Sequence, residues 1–422
     1  MQVLCARNLK SSGTVLLYII SAGFFWAVII NEGIVTLYEN YRRGEVLHPR
    51  QSNQISKNTR LEVFRERRKV LLETCRKNGS AYVGLSPVDS VRNHFVVDRN
   101  HKFVYCAMEK IGSTFWRRLF QIIVGSSNAT SPFDIPPVNA LKGNVETFKN
   151  LRFDDIHSLL ESSKTFIIVR DPYARLYSGY MDKLFSANIA FWDEIGKFSI
   201  GKFRPHPSKK SMDCGHDLTF PEFIKYFIYS EIANTHRDGH FVPMYDHCRP
   251  CHIKYDIIAK MESMSDDTLG VLKMLNMSDL HNTLAKQFTE DTREDSFVDQ
   301  TNILFASFKS TRDCLSVYEN QKRMWMKFKS RGLISKYAVF PFSSDESETL
   351  TIHKYIKALK QSVKETTDKK ISKQYRYEYL SEAYSKLTKE DLKALHQILK
   401  KDCYIFGYDC DKYPWIESAF RQ

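Results

Sequence analysis

The chain has 422 residues, 43% hydrophobic and 13% aromatic, with 62 Lys and Arg against 49 Asp and Glu, a formal charge of +13. That composition excludes a chain disordered throughout and suffices for one large core with appendages. A cationic body of this kind attracts polyanions at long range.

Thr14 to Ile30, TVLLYIISAGFFWAVII, is uncharged and near the lower length limit for a membrane span, and Gly33-Ile34-Val35 extends it past Asn31 and Glu32. A cleaved signal peptide is the competing reading. The apolar run continues through Phe24, Phe25 and Trp26 after the small residues Ser21-Ala22-Gly23, which favours an uncleaved anchor. We therefore expect a cytoplasmic tail over 1–13, a signal-anchor over 14–35 and a stem over 36–90. Arg7 and Lys10 before the span and Arg42 and Arg43 after it orient it only weakly. Asn78-Gly79-Ser80, Asn128-Ala129-Thr130 and Asn276-Met277-Ser278 all follow the span and fit N-glycosylation of a lumenal body. Within the stem, Leu61, Phe64, Val70, Leu71 and Leu72 predict a helix, and Arg65 to Lys69 reads as its solvated basic face rather than a nucleic-acid patch.

His101 to Phe120, HKFVYCAMEKIGSTFWRRLF, reads as a buried strand, a tight loop and a helix N-terminus. Lys110 supplies a cation, Gly112 allows backbone to approach an anion, and Ser113 and Thr114 are expected to cap the helix begun at Phe115. Free N–H groups and the helix dipole would face the ligand. The Walker pattern GxxxxGK(S/T) is absent, since the lysine precedes the glycine by two positions. Taken alone, this stretch is more simply explained as a capped helix with a surface lysine.

Lys164 to Lys183, KTFIIVRDPYARLYSGYMDK, repeats the arrangement. Thr165 to Val169 is a continuous apolar strand, Arg170 sits at its end, and Asp171-Pro172 turns the chain and starts a helix along which Tyr173, Leu176, Tyr177 and Tyr180 recur. Arg170 and Ser178 reach one anion across the first helical turns, and the planar arginine fork suits a terminal phosphate. Two anion sites in one α/β sheet imply a ligand with phosphates at both ends.

Lys197, Lys202, Arg204, Lys209 and Lys210 form a basic insertion that reads either as a binding stretch for a uronate-bearing or sulfated glycan or as a solvated loop. Ser343 to Lys370 is polar and lysine-rich and reads as an insertion without assignable role. Eight of the nine cysteines follow the span, an even number compatible with disulfides, while Cys106 on the proposed core strand reads as a buried free thiol. Cys248-Arg249-Pro250-Cys251, flanked by His247 and His252, resembles half a zinc site, but without a second CxxC a disulfide knot is the simpler account, and no metal is expected.

The two loops resemble the 5′-phosphosulfate and 3′-phosphate loops of the Golgi carbohydrate sulfotransferases, in particular the family of the chondroitin and dermatan 4-O-sulfotransferases. VRNHFVVDRNHKFVYC (91–106) resembles that family's opening strands, CRPCHIKYDIIAKMES (248–263) its C-x-P-C segment, and YEYLSEAYSKLTKEDLKALHQILKKDCYIFGYD (377–409) its closing helices. The chain departs from the family at Glu109, where proline is usual; Glu109 is expected to face away from the anion site or to pair with Arg117 or Arg118.

The resemblance implies an α/β, P-loop-like sulfotransferase fold with a central parallel sheet over a lumenal domain at 91–411, followed by a tail at 412–422. It implies type II topology in the Golgi membrane and transfer of the sulfuryl group of 3′-phosphoadenylyl sulfate (PAPS) to a glycan hydroxyl, with no nucleic-acid partner. Lys110 would stabilise the leaving phosphate, and backbone from Lys110 through Ile111, Gly112, Ser113 and Thr114 to Phe115 would bind the 5′ end. Arg170, Asp171, Pro172, Arg175 and Ser178 would form the 3′-phosphate loop, with Arg175 assisting or bracing the helix. His240, a histidine before an aromatic residue just upstream of the C-x-P-C segment, would be the base, oriented by Asp238, with His216 and His236 behind it. A silent membrane-anchored glycan- or PAP-binding protein is the alternative, and a small-metabolite kinase is disfavoured by the missing Walker pattern.

Overall fold

The computed structural model describes residues 59–77, 94–363 and 368–421. The anchor at 14–35, most of the stem and the Asn78 triplet lie outside these residues. Among the described residues, no helix is long and apolar enough to cross a membrane. Thr59–Gln422 forms one compact unit.

Five strands make one sheet: β1 (Phe95–Asp98), β2 (Phe103–Cys106), β3 (Glu146–Thr147), β4 (Lys164–Val169) and β5 (Ile257–Lys260), in the order β3-β1-β2-β4-β5. The centre is parallel, with Tyr105 opposite Phe166 and Ile167 opposite Ile258. The edge is not: β1 runs antiparallel to β2 and β3, so the expected parallel sheet is a mixed one. The cause is local, because the Asp98 carboxylate accepts from the N–H groups of Asn100 (3.0 Å) and His101 (3.2 Å) and closes a turn too short for a parallel crossover.

The helices that frame the site are α1 (Arg60–Lys77), α2 (Ser113–Ile123), α3 (Phe153–Ser162), α4 (Pro172–Tyr180), α5 (Phe220–Ala233), α6 (Met264–Met274), α7 (Ser278–Thr311), α8 (Val317–Ser330), α9 (Ile352–Gln361), α10 (Lys369–Ser385), α11 (Lys389–Ile405) and α12 (Pro414–Phe420). All four residues of β2 are buried, which is why its apolar run does not alternate. Trp116 of α2 packs 4.6 Å from the Phe166 ring, fixing the helix against the sheet. Burying such a side chain stabilises the fold by about 1.5–3 kcal/mol.

The predicted stem helix is α1, and it belongs to the body: Arg67 donates to Asp267 (2.7 Å), and Cys75 is bonded to Cys251. Residues 343–363 of the expected insertion also pack, with Tyr355 and Leu359 of α9 buried against Phe297, Trp325 and Phe328. The stretch expected as a tail carries α12, whose Trp415 stacks on Tyr384 at 5.3 Å. All eight cysteines beyond residue 58 are paired, as Cys75–Cys251, Cys106–Cys248, Cys214–Cys314 and Cys403–Cys410. Cys106 is thus not the free thiol expected of a core strand, because β2 runs beside the segment carrying Cys248.

Candidate active site

The chain leaves β2 through a loop with two left-handed residues, Lys110 (φ +67°) and Gly112 (φ +82°). A β-carbon at Gly112 would meet Met264 Cε at 2.7 Å, so this turn needs glycine both for its backbone angle and for space. Gly112 is itself the N-cap of α2. Ser113 and Thr114, expected as caps, lie inside the first turn, and no side chain caps the helix. First-turn N–H groups lack intrahelical partners, so this end favours an anion.

Lys110 Nζ donates to Asp182 Oδ2 at 2.7 Å, and Lys327 of α8 holds the other oxygen, Oδ1, at 2.5 Å. Burial pulls the Lys110 ammonium down to about 8, with Asp182 opposing that shift and Lys327 adding to it. Burial would raise the Asp182 carboxyl, but Lys110, Lys327 and Lys183 outweigh it and hold it well below the usual range. Asp182 sits in a π-helical turn, Met181–Phe185, that continues α4, a feature frequent at functional sites.

At the end of β4, Arg170 donates to the Lys110 carbonyl at 3.1 Å, tying the two loops together. Arg331, just beyond α8, and Arg376 of α10 lie close enough for the three guanidinium charges to act on one another. Burial lowers the pKa of all three, with Glu262 and Asp171 supporting the charge on Arg170. Cations brought together at a strand end and a helix N-terminus make an anion cradle.

Asp171, Pro172 and Arg175 of the second loop make contacts within the fold. Asp171 caps α4 through Ala174 N–H (2.8 Å) and accepts from the Tyr413 hydroxyl, so it faces the fold. Pro172 opens the helix. Arg175 takes the bracing role: it donates to the carbonyls of Glu109 (3.1 Å), Val242 (2.8 Å) and Gly239 (3.2 Å). Of the two roles expected of it, assisting at the 3′-phosphate or bracing the helix, these three bonds match the second. Ile111 and Phe115 are buried, so their contribution to a ligand is backbone only. Ser178 stands half-buried on α4, one helical turn before Asp182.

His240 lies on the segment that Arg175 holds. Its Nδ1 is 2.8 Å from Asp238 Oδ1, the orientation expected from sequence, and its ring packs edge-on to Phe191 at 5.2 Å. The segment fits tightly over α4, since a β-carbon on Gly179 would meet Phe241 at 2.8 Å.

Glu109 pairs with neither nearby arginine. Arg118 is bidentate to Asp295 and Arg117 donates to the Ala107 carbonyl, while Glu109 Oε2 lies 3.2 Å from His247 Nε2, itself 3.1 Å from His94 Nδ1. Burial lowers the pKa of both histidines, with Glu109 opposing the shift, and the two histidines outweigh burial to hold Glu109 below the usual carboxylate range.

The basic insertion is largely compensated from within. Arg204 pairs with Glu222 (2.6 Å) and Asp217 (2.7 Å), Lys197 with Asp193 and Lys209 with Asp213, while Lys202 lies over the Tyr229 ring. These contacts favour the solvated-surface reading.

Residues 93–299 match the model of the sulfotransferase family. The chain is 31% identical over 221 residues to carbohydrate sulfotransferase 11 of Rattus norvegicus, covering 50% of this chain and 61% of that protein. Over this stretch the chain is similar to the carbohydrate sulfotransferases, and it spans less than two thirds of that relative's length. Further relatives that match are carbohydrate sulfotransferase 11 of Danio rerio, 29% identical over 271 residues (62% of this chain, 74% of the relative), and carbohydrate sulfotransferase 8 of Homo sapiens, 31% identical over 219 residues (50% and 49%). No solved structure matches. The sulfotransferase match takes in Lys110, Arg170 and His240, whereas Lys327, Arg331 and Arg376 come from the chain beyond residue 299.

Sequence reasoning missed Asp182, Lys327, Arg331 and Arg376. Asp182 had a signal, since it falls four residues after Ser178 on the same helical face. The other three arrive from helices far along the chain, with no local pattern to mark them.

Proposed function

We propose that this chain transfers the sulfuryl group of PAPS to a hydroxyl of a glycan. The observation that carries the reading is the cradle at the ends of β2 and β4, where Lys110, Arg170, Arg331 and Arg376 converge beside the uncapped N-terminus of α2. The residues fit a bis-phosphorylated ligand: α2 and Lys110 would hold the 5′ end, and Arg170 with Ser178 would hold the 3′-phosphate.

In the proposed reaction the bond between sulfur and the bridging phosphate oxygen breaks as a bond from sulfur to the sugar oxygen forms. Lys110 and the helix N-terminus oppose the negative charge left on the phosphate. His240 takes the hydroxyl proton at Nε2, because Asp238 holds Nδ1–H and leaves that nitrogen basic. Arg175 keeps the two loops in register from behind.

The proposal extends to a Golgi-lumenal body behind an anchor at 14–35. Four disulfides suit an oxidising compartment, and Asn128 and Asn276 of the acceptor triplets are exposed. Calorimetric titration of the full chain with PAP tests the cradle. Saturable binding at one site, weakened by Arg170→Ala, is expected; absence of binding by the folded chain would remove the reading.

A further inference from the structure

Behind the Lys110 loop, three segments each deliver one ligand-type atom: His94 Nδ1 immediately before β1, Glu109 Oε2 after β2, and His247 Nε2 from the short helix Met244–Cys248. His247 Nε2 is 3.1 Å from His94 Nδ1 and 3.2 Å from Glu109 Oε2, and all three atoms lie within 4.8 Å of one another. An ion bound tetrahedrally at about 2.0–2.1 Å separates its donor atoms by about 3.3–3.4 Å, close to both measured edges.

Hydrogen bonding alone does not satisfy this set. A neutral His247 has at most one proton on Nε2 to share between His94 Nδ1 and Glu109 Oε2, and its 3.2 Å approach to the buried Oε2 is poorly aligned for a hydrogen bond. Two imidazole nitrogens and a carboxylate oxygen brought this close in a largely buried place are stabilised by a cation among them. The surroundings are also organised in advance. The Cys106–Cys248 disulfide ties the strand leading to Glu109 to the residue after His247. Gly239 closes the other side, where a β-carbon would come within 3.4 Å of His247 Cε1 and 3.5 Å of Glu109 Oε2.

We propose that His94, Glu109 and His247 form a binding site for a divalent cation of the zinc class. Two imidazoles and one carboxylate suit zinc and leave a fourth position for water. The ion would fix Glu109, and through it the neighbouring Lys110, against the segment that carries His240. The site does not depend on the transfer reaction and stands or falls separately from it.

The test uses the full chain without a metal-binding tag, stripped with chelator and titrated with Co²⁺ as the spectroscopic probe, then with Zn²⁺ in competition. His94→Gln and Glu109→Gln are the variants, because both residues are only partly buried whereas replacing His247 risks the fold. The expected result is one equivalent of cobalt per chain with ligand-field bands of a four- or five-coordinate site, displaced by zinc. Each variant should weaken binding by at least about tenfold, with unchanged circular dichroism of the metal-free protein. No saturable binding by the folded chain would overturn the proposal. Binding with the same spectrum and affinity in both variants would overturn it too, since the ion would then be held elsewhere.

Discussion

Lys110 and Asp182 form an ion pair 2.7 Å long, and Asp182 shares its second oxygen with Lys327. One carboxylate between two lysines leaves a net positive charge in a place that excludes most water, which attracts an anion. The pair also keeps Lys110 charged: burial alone would favour the neutral amine.

The sign of the resulting pH dependence follows. Lys110 is an ammonium below its pKa of about 8 and an amine above it, so activity that needs the charge is present at lower pH and lost as pH rises through about 8. Asp182→Asn removes the group that raises this pKa. The alkaline limb of the rate profile should move toward lower pH by about one unit or more, read from kcat/KM at constant ionic strength. An unmoved limb would assign it to another group.

Arg175→Ala should act on the fold before it acts on the ligand. It leaves three carbonyls without their donor, a loss of at least about 2 kcal/mol given the usual strength of hydrogen bonds to charged groups. Denaturant unfolding measures this. Arg175→Lys should restore little of it, since an ammonium cannot reproduce the fork geometry. A variant of unchanged stability that had lost PAP affinity would show instead that the guanidinium meets the ligand.

His240→Ala should lower kcat by about 10²–10⁴ if the imidazole is the base while leaving PAP affinity within about twofold, because Arg170 and the α2 N-terminus are untouched. Asp238→Asn should lower kcat less, because the amide holds the imidazole in its orientation less firmly than the carboxylate does. Calorimetry with PAP beside single-turnover transfer separates binding from chemistry.

Replacing both Cys106 and Cys248 with alanine should lower stability by about 2–4 kcal/mol. The bond joins positions 142 residues apart and braces β2 at the point where the Lys110 loop begins. Thermal melts of the oxidised parent and the double variant measure the loss; equal melting temperatures would mean the bond contributes nothing there.

The parts legible in the sequence were those written in consecutive residues. The apolar runs before Lys110 and Arg170 became β2 and β4, and the Asp171-Pro172 step started α4 where turn chemistry placed it. His240 and Asp238, two residues apart, were legible for the same reason. What stayed hidden depends on chain segments meeting in space. Nothing near Lys327, Arg331 or Arg376 says that α8 and α10 turn toward β4, and nothing near His94 says that His247 lies across from it. Ser113 and Thr114 misled because a hydroxyl one position further along caps nothing once a left-handed glycine takes the N-cap.

The most direct measurement is transfer of labelled sulfate from PAPS by the full chain onto chondroitin, desulfated dermatan, heparosan and N-glycan acceptors, with Lys110→Ala alongside. The account predicts labelling of an acceptor by the parent chain and loss of at least about 10²-fold in the variant. Labelling that survives in Lys110→Ala would contradict the role given to the cradle, and a folded chain that binds PAP but labels no acceptor would be a binder rather than an enzyme.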